Sequence, residues 1–226
     1  MSCIEAIVFD AYGTLFDVQG SMGQKFNDVL PGKGEQIREI WRRKYHEYNL
    51  FRSVTNQYKD FWGVTKDALT FALKQYNVEE TEALKYQMLE QYFHVKPFDD
   101  VSYGLNTLRT YEKTILSNGT FEMLNKMIIN SGLKEHFKYI ISSDEVRNYK
   151  PSMNVYELAE RKTAVSNKNS ILFISSNAWD VAAAKIYGFK VCWLNRTKGI
   201  FEELDCKPDH EIKELRELTN ILTIYG

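Results

Sequence analysis

The feature that most constrains the fold is a short apolar run near the start of the chain that ends abruptly in a carboxylate. Ile7, Val8 and Phe9 are followed directly by Asp10, and an unbroken apolar run indicates a strand covered on both faces. Gly13 indicates a tight turn or a close backbone approach just beyond. Because ligands bind outside the carboxyl ends of the strands in an open parallel sheet, Asp10 is predicted to face a crevice. An aspartate that caps a turn or a helix start is the simpler alternative.

The second half of the chain alternates short apolar runs with helical patterns. The predicted strands are 114–116, 139–141, 170–174 and 191–194, and the predicted helices are 101–111, 120–131, 152–161 and 180–187. Repeated strand–helix units favour a parallel sheet with right-handed crossovers. The predicted fold class is therefore α/β, with a doubly wound, Rossmann-like parallel sheet that includes the first strand.

Residues 18–95 interrupt this alternation and contain no convincing strand. The helices predicted there are 35–50, 67–76 and 81–93. Thr65 is assigned as the N-cap of the middle helix, or as a residue near it. A run of helices without strands indicates an inserted helical module. We therefore predict a core domain from residues 1–16 and 97–226 and a helical cap subdomain over 17–96.

Composition argues against several classes of function. Lys and Arg number 29 against 30 Asp and Glu, a net charge of −1, so no basic field attracts nucleic acid. The three cysteines are far apart and imply no disulfide framework, and the histidines lack metal-ligand spacing. No signal-peptide pattern and no apolar run long enough for a membrane span are present. We expect a soluble, cytoplasmic protein that binds neither nucleic acid nor membrane.

Polar side chains follow four of the predicted strands, at the edge where a parallel sheet binds its ligands. They lie in the stretches 10–14, 117–119, 150–151 and 175–180. Here the sequence resembles the haloacid dehalogenase superfamily, and specifically its L-2-haloacid dehalogenases (type II). The resemblance spans nearly the whole chain, because these stretches match the four family motifs in order and the flanks at 41–44, 47–48, 155–160 and 192–197 are also similar.

Two positions differ from the pattern of the phosphatases in the same superfamily. Those enzymes carry a second aspartate in the first motif, as general acid and magnesium ligand, where this chain has Tyr12. A tyrosine cannot protonate a leaving alkoxide in that way near neutral pH. They also carry a carboxylate four residues before the position of Asp180, where this chain has Ser176. Because magnesium prefers charged oxygen ligands, the site is expected to work without a metal or other cofactor.

The resemblance implies hydrolysis of a carbon–halogen bond with Asp10 as the nucleophile. A carboxylate is already ionised near neutral pH and needs no base. In the implied reaction Asp10 attacks C2 of an (S)-2-haloalkanoate, expels halide with inversion and forms an aspartyl ester, which water then hydrolyses. Lys150 is the implied cation that holds Asp10. Two unit charges about 4 Å apart attract by roughly 4 kcal/mol at an effective dielectric constant near 20.

The resemblance assigns a larger set of residues to the site. The predicted catalytic residues are Asp10, Thr14, Lys150, Tyr156, Ser175, Asn177 and Asp180. The predicted substrate-binding residues are Ala11, Tyr12, Arg42, Phe61, Ser117, Asn118 and Trp179. Asp180 is the candidate for activating the hydrolytic water. Ser117 is assigned to the substrate carboxylate. Three residues are assigned to the departing halide, namely Arg42, Phe61 and Asn118.

Taken without the resemblance, several of these residues have simpler interpretations. Lys150 is then a solvated lysine before a helix, Arg42 an exposed helix charge and Phe61 an ordinary core residue. Asp180 and Asn177 are then residues that cap the helix that follows them, a role they could combine with one in the site.

Two residues depart from the family pattern. His46 stands where relatives often carry an apolar residue near the substrate chain, and Ala11 stands where they often carry leucine. Both leave pocket size and substrate preference open.

Two other functions compete with dehalogenation. A magnesium-dependent phosphatase of the same superfamily would need metal ligands outside the usual motif positions. A non-catalytic binding protein would be expected to have lost part of the set formed by Asp10, Lys150 and Asp180, and all three are present. The resemblance also implies a homodimer, and a small-molecule 2-haloacid is the expected binding partner.

Overall fold

The computed structural model describes residues 3–225 and contains a six-stranded sheet. The strands are β1 (Ala6–Phe9), β2 (Glu112–Ser117), β3 (Tyr139–Ser142), β4 (Ile171–Ser175), β5 (Lys190–Leu194) and β6 (His210–Ile212). They pair in the order β3-β2-β1-β4-β5-β6, and each pair is parallel. This order confirms the predicted doubly wound α/β fold, and it places β1 in the interior of the sheet.

Helices cover both faces of the sheet and also fill the long interval between β1 and β2. The α-helices are α1 (Val18–Val29), α2 (Gly34–Thr55), α3 (Phe61–Gln75), α4 (Glu82–Leu89), α5 (Val101–Thr107), α6 (Phe121–Asn130), α7 (Met153–Thr163), α8 (Ala178–Tyr187) and α9 (Leu218–Leu222). Within residues 3–225, none of the helices combines the length and the apolar character that crossing a bilayer requires. The segment from α1 to α4 is the helical region expected between the first two strands, and its status as a separate cap subdomain stays a prediction.

Alternate residues of β1 enter two different hydrophobic cores. Ile7 and Phe9 pack with residues of α5, α6 and α9, whereas Ala6 and Val8 pack with residues of α7 and α8. All four side chains are buried, as the unbroken apolar run predicted for a strand covered on both faces. The carboxyl end of β1, and with it Asp10, is therefore fixed by packing from both sides.

The helical region leaves and rejoins the sheet domain at one place. The backbone N–H of Asp17 donates to the carbonyl of Lys96 at 2.8 Å, and that of Phe98 donates to the carbonyl of Leu15 at 3.0 Å. The first core also continues into this region, because Phe26 of α1 belongs to the same buried cluster as Leu15, which precedes the helix. The helices from α1 to α4 are thus joined to the sheet by a shared core as well as by the chain.

The assignment of Thr65 to the start of a helix was wrong. Helix α3 begins at Phe61, and its N-cap is Asp60, whose carboxylate accepts from the N–H of Gly63 at 2.6 Å. Thr65 is buried inside the helix, and its hydroxyl donates to the carbonyl of Phe61 at 2.9 Å. This bond to the preceding turn satisfies the threonine hydroxyl without a capping role.

Other helix limits also differ from the predictions. The helix predicted over 81–93 is divided, because α4 ends at Leu89 and the chain continues as a 3₁₀ helix over Glu90–His94. The helix predicted over 101–111 ends at Thr107.

Candidate active site

Four separate segments meet around one carboxylate at the carboxyl edge of the sheet. Asp10 follows β1, Ser117 ends β2, Ser175 ends β4, and Lys150 lies in the turn before α7. All four side chains are buried. Such a cluster of buried polar groups has to be satisfied internally, so their hydrogen bonds define the site.

The two oxygens of Asp10 have different surroundings. Oδ2 accepts from Thr14 Oγ1 at 2.9 Å and from Asn177 Nδ2 at 3.1 Å, and Ser175 Oγ lies 3.5 Å away. Oδ1 accepts from the ammonium of Lys150 at 3.1 Å. Within residues 3–225 that ammonium is the sole partner of Oδ1, which leaves Oδ1 with an unshared electron pair.

The hydroxyls beside Asp10 are oriented by backbone amides. The N–H of Ser176 donates to Thr14 Oγ1 at 2.9 Å, and the N–H of Asn177 donates to Ser175 Oγ at 3.1 Å. Because each hydroxyl already accepts a hydrogen bond, its own hydrogen is free to point at Asp10.

Arg196 supports this arrangement from outside the four motifs, since its Nε donates to the carbonyl of Thr14 at 2.8 Å and its Nη1 pairs with Asp100 at 2.9 Å. The family-like stretch 192–197 contains Arg196, but no sequence signal linked it to Thr14.

Lys150 bridges two carboxylates. Its Nζ lies 3.1 Å from Asp10 Oδ1 and 2.9 Å from Asp180 Oδ2, and it stands 4.9 Å from the centre of the Phe173 ring. Burial by itself lowers the pKa of this ammonium, but the two carboxylates more than offset that effect and raise the pKa of Lys150 above its usual value. Lys150 therefore stays charged. The structure does not place it as a solvated surface lysine.

The ammonium of Lys150 lies between Asp180 and Asp10, and Asp180 is not on the wall of the cavity that opens beside Asp10. It is fully buried, and its Oδ1 accepts from the hydroxyl of Tyr156 at 2.6 Å. Burial raises the pKa of Asp180, while Lys150 and the Tyr156 hydroxyl act in the opposite direction. Its side chain makes no helix cap. Asn177 holds the N-cap position of α8, yet its side chain turns to Asp10 instead of capping the helix.

A cavity of about 80 Å³ opens beside Asp10. The predicted residues on its wall are Asp10, Tyr12, Arg42, Phe61, Ser117, Asn118, Lys150, Asn177 and Trp179. Ala11 is fully buried and is not on the wall. Three predicted catalytic residues contact lining residues from behind, namely Thr14 and Ser175 through Asp10 and Asp180 through Lys150. Tyr156 lies one step further out and contacts Asp180.

The cavity also has lining residues that the sequence did not single out for the site. They are Gly13, Val18, Gln19, Tyr45, Asn49 and Tyr92. A signal existed for two of them, because Tyr45 and Asn49 lie three and seven residues after Arg42 in α2 and therefore share its helix face. His46, whose position left the pocket size open, also lies on the wall.

The wall offers hydrogen-bond donors beside aromatic surface. Asn118 Oδ1 accepts from the backbone N–H of Lys150 at 2.8 Å, so the amide NH₂ of Asn118 is left to donate to an anion. The ring of Phe61 stacks on that of Tyr12 with centroids 6.2 Å apart. Burial raises the pKa of Tyr45, and the charge of Arg42 partly offsets this rise. The Asp10 carboxylate thus faces a small cavity whose wall offers the guanidinium of Arg42 and the amide NH₂ of Asn118 to an anionic ligand.

Across residues 3–225, no three His, Cys, Asp or Glu side chains are grouped as a metal site. Between Asp10 and Asp180 the positive charge is the ammonium of Lys150.

The whole chain is similar to known hydrolases. The family model described as haloacid dehalogenase-like hydrolase matches residues 4–188. The chain is 40% identical over 224 residues to (S)-2-haloacid dehalogenase 2 of Pseudomonas sp. (strain CBS-3), covering 98% of this chain and 97% of that protein. It is 39% identical over 226 residues to haloacetate dehalogenase H-2 of Moraxella sp. (strain B), covering 99% and 100%.

A solved structure agrees with these sequence relatives. The L-2-haloacid dehalogenase of Xanthobacter autotrophicus with chloropropionic acid covalently bound superposes on the chain with a TM-score of 0.90. The two are 34% identical, and the match covers 99% of this chain and 100% of the other.

Proposed function

The chain belongs to the L-2-haloacid dehalogenase family of the haloacid dehalogenase-like hydrolases, and on that premise we propose that it hydrolyses (S)-2-haloalkanoic acids to (R)-2-hydroxyalkanoic acids and halide. The observation that carries the proposal is the Asp10 carboxylate at a small cavity, with Oδ2 held by Thr14 and Asn177 and Oδ1 paired with Lys150. The covalently bound chloropropionic acid of the Xanthobacter autotrophicus protein supports a covalent route.

The first step is displacement at carbon. Oδ1 of Asp10 attacks C2 of the substrate, the new C–O bond forms as the carbon–halogen bond breaks, and the halide leaves with the bonding electron pair. Attack from the side opposite the halide inverts C2. Ser117 is the proposed donor to the substrate carboxylate. The halide is received by Arg42, the amide NH₂ of Asn118 and the edge of Phe61, which suit a large, weakly hydrated anion.

The second step is hydrolysis of the aspartyl ester. Water attacks Cγ of Asp10, the bond from Cγ to the ester oxygen breaks, and the hydroxy acid leaves with an oxygen that came from Asp10. One proton of the water ends on the product hydroxyl and the other is released to solvent. Asp180 is the proposed base. This role is supported by the ammonium of Lys150, which contacts both Asp180 at 2.9 Å and Asp10 at 3.1 Å.

Further roles rest on the family resemblance and stay proposals. Thr14, Ser175 and Tyr156 orient the two carboxylates, and Trp179 shapes the cavity wall beside the substrate. Ala11 has no side-chain contact with the cavity, so its proposed part in binding is limited to its backbone.

Homodimerisation and independence from metal are likewise proposals. Sedimentation velocity tests the first, and activity with a chelator present tests the second.

The experiment compares two reactions on the same purified protein. Chloride release is measured from (S)-2-chloropropionate with EDTA, and phosphate release is measured from an aryl phosphate with magnesium. We expect chloride from the first reaction, none from (R)-2-chloropropionate, and no phosphate. Phosphate release with magnesium, together with no chloride release, would overturn the proposal in favour of a phosphatase.

A further inference from the structure

The side of the cavity formed by α2 carries polar atoms without partners. Arg42, Tyr45, His46 and Asn49 all line the cavity from this helix. Asn49 is 3% exposed, and within residues 3–225 its Oδ1 has no hydrogen-bond partner. The hydroxyl of Tyr12, on the same cavity, is also buried and has no partner in the described chain. Native interiors rarely leave such groups unsatisfied, so these atoms are available to hydrogen-bond to whatever occupies the cavity.

His46 adds hydrogen-bonding capacity to the same wall. Its ring lies 6.1 Å from that of Trp179 and 4.5 Å from that of Tyr45, so aromatic surface surrounds it. Neither ring nitrogen has a hydrogen-bond partner among residues 3–225. Burial, and then the charge of Arg42, lower the pKa of His46 to about 4. The ring is therefore neutral at pH 7 and offers one N–H donor and one nitrogen acceptor.

We propose that His46 and Asn49 are specificity-determining residues that select 2-haloacids with a hydroxyl group on the C2 substituent over those with an alkyl substituent of the same size. This inference rests on the proposed function, because it concerns the substrate bound at the same cavity. A hydroxyl can donate to Asn49 Oδ1 or to the free nitrogen of His46, and it can accept from the N–H of His46. An alkyl group displaces water from these atoms and leaves them unpaired.

A matched pair of substrates tests the inference. (S)-2-Chloro-3-hydroxypropionate and (S)-2-chlorobutyrate differ only in a hydroxyl replacing a terminal methyl, so size and charge are held constant. We measure kcat/KM for each by chloride release and subtract a protein-free blank. We expect the hydroxylated substrate to be preferred by about tenfold or more, the preference of a site that bonds a substrate hydroxyl.

Two variants assign the preference to its residues. His46→Leu and Asn49→Leu are each expected to lower the ratio of the two kcat/KM values by about tenfold, since each removes one polar partner. A ratio taken within one variant cancels any loss of folded protein. Arg43→Leu is the matched control, because Arg43 is exposed on the same helix and absent from the cavity wall. Its ratio is expected to equal that of the unmodified protein.

Chloroacetate separates failure of the inference from failure of the proposed function. Chloride from chloroacetate, combined with a preference for 2-chlorobutyrate or with a ratio that neither variant changes, overturns the inference and leaves dehalogenation standing. No chloride from any of the three substrates or from (S)-2-chloropropionate overturns the proposed function, and the inference with it.

Discussion

The ammonium of Lys150 pairs with Oδ1 of Asp10 at 3.1 Å, although the two residues are 140 positions apart in the chain. The same ammonium pairs with Asp180 at 2.9 Å, so one buried cation serves two buried carboxylates. Charges removed from water interact strongly and are poorly screened by salt. The three side chains therefore behave as one electrostatic unit, and a change in one alters the other two.

Replacement of the cation gives the largest expected effect. Lys150→Met leaves Asp10 and Asp180 buried without a counter-ion, and breaking a buried pair in this way costs about 3–5 kcal/mol of unfolding free energy. Halide release is expected to fall by at least about a hundredfold. Because Lys150 lowers the pKa of Asp180, its loss raises that pKa, and the stability deficit should shrink as the pH falls from 8 to 5. Urea denaturation at several pH values measures this.

An exposed lysine provides the control for that variant. Lys162 lies in α7, and its side chain is 46% exposed beside Glu145 at 3.2 Å. Lys162→Met should change stability by no more than about 0.5 kcal/mol. A Lys150→Met protein as stable as this control would contradict the buried ion-pair account.

The covalent step predicts where isotopic oxygen goes. In a single turnover in H₂¹⁸O, with protein in excess over substrate, the heavy oxygen should enter the side chain of Asp10 and be absent from the hydroxy acid. Mass spectrometry of the peptide that contains Asp10, and of the product, measures both. Asp10→Asn is the companion variant and should release no halide. Heavy oxygen in the hydroxy acid after the first turnover would show that water attacks the substrate directly.

The Tyr156 hydroxyl should influence the pH at which activity is lost on the acid side of the pH–activity profile. It donates to Asp180 at 2.6 Å and so lowers the pKa of a carboxyl that burial raises. In Tyr156→Phe the pKa of Asp180 rises further, the ionised form is less populated at a given pH, and the acid limb of kcat should move to higher pH. Tyr187→Phe is the matched control, because the Tyr187 hydroxyl bonds to Glu160 instead. An acid limb that stays in place in Tyr156→Phe would argue against a required Asp180 carboxylate.

Two glycines of the helical region should respond to alanine in opposite directions. At Gly34, the first residue of α2, an added Cβ would lie 2.5 Å from the backbone of Phe26 in α1, so Gly34→Ala forces the helices apart. We expect a loss of about 1–3 kcal/mol. Gly23 lies inside α1 with nothing within 4 Å of an added Cβ, so Gly23→Ala should stabilise by about 0.5–1 kcal/mol. The midpoint of urea denaturation, compared between proteins with the same m-value, measures both changes. If Gly34→Ala left the unfolding free energy unchanged, α1 and α2 would be less closely packed than described.

The sheet was predictable because its signals are local. An apolar run such as Ile7–Phe9 is typical of a strand covered on both faces, and parallel strands bring their carboxyl ends to one edge. The sequence could therefore predict that Asp10, Lys150 and Asn177 lie near one another, and the structure places them within hydrogen-bonding distance. Their catalytic roles come from the family resemblance and stay predictions.

The elements that the sequence did not reveal are those that depend on tertiary contacts. Helix α1 contains Gly20 and Gly23, and the low helix propensity of glycine weakens its helical pattern in the sequence. Packing of Met22 and Phe26 stabilises the helix instead. Strand β6 is a three-residue strand at the edge of the sheet, too short to show a clear alternation of apolar and polar residues. The bond from Arg196 to the carbonyl of Thr14 joins residues 182 positions apart, and no spacing in a single sequence predicts such a contact.

The backbone bonds from Asp17 to Lys96 and from Phe98 to Leu15 hold the entrance and the exit of the helical region side by side. A segment tethered in this way can lengthen or shorten with little entropic consequence for the sheet, since closure entropy changes only slowly with loop length. Substitutions at the cavity-lining positions of α2, outside the shared core, can thus occur while β1, the strand that ends just before Asp10, keeps its register. Under the proposed function, the residue that reacts with the substrate and the wall that selects it would then vary independently of each other.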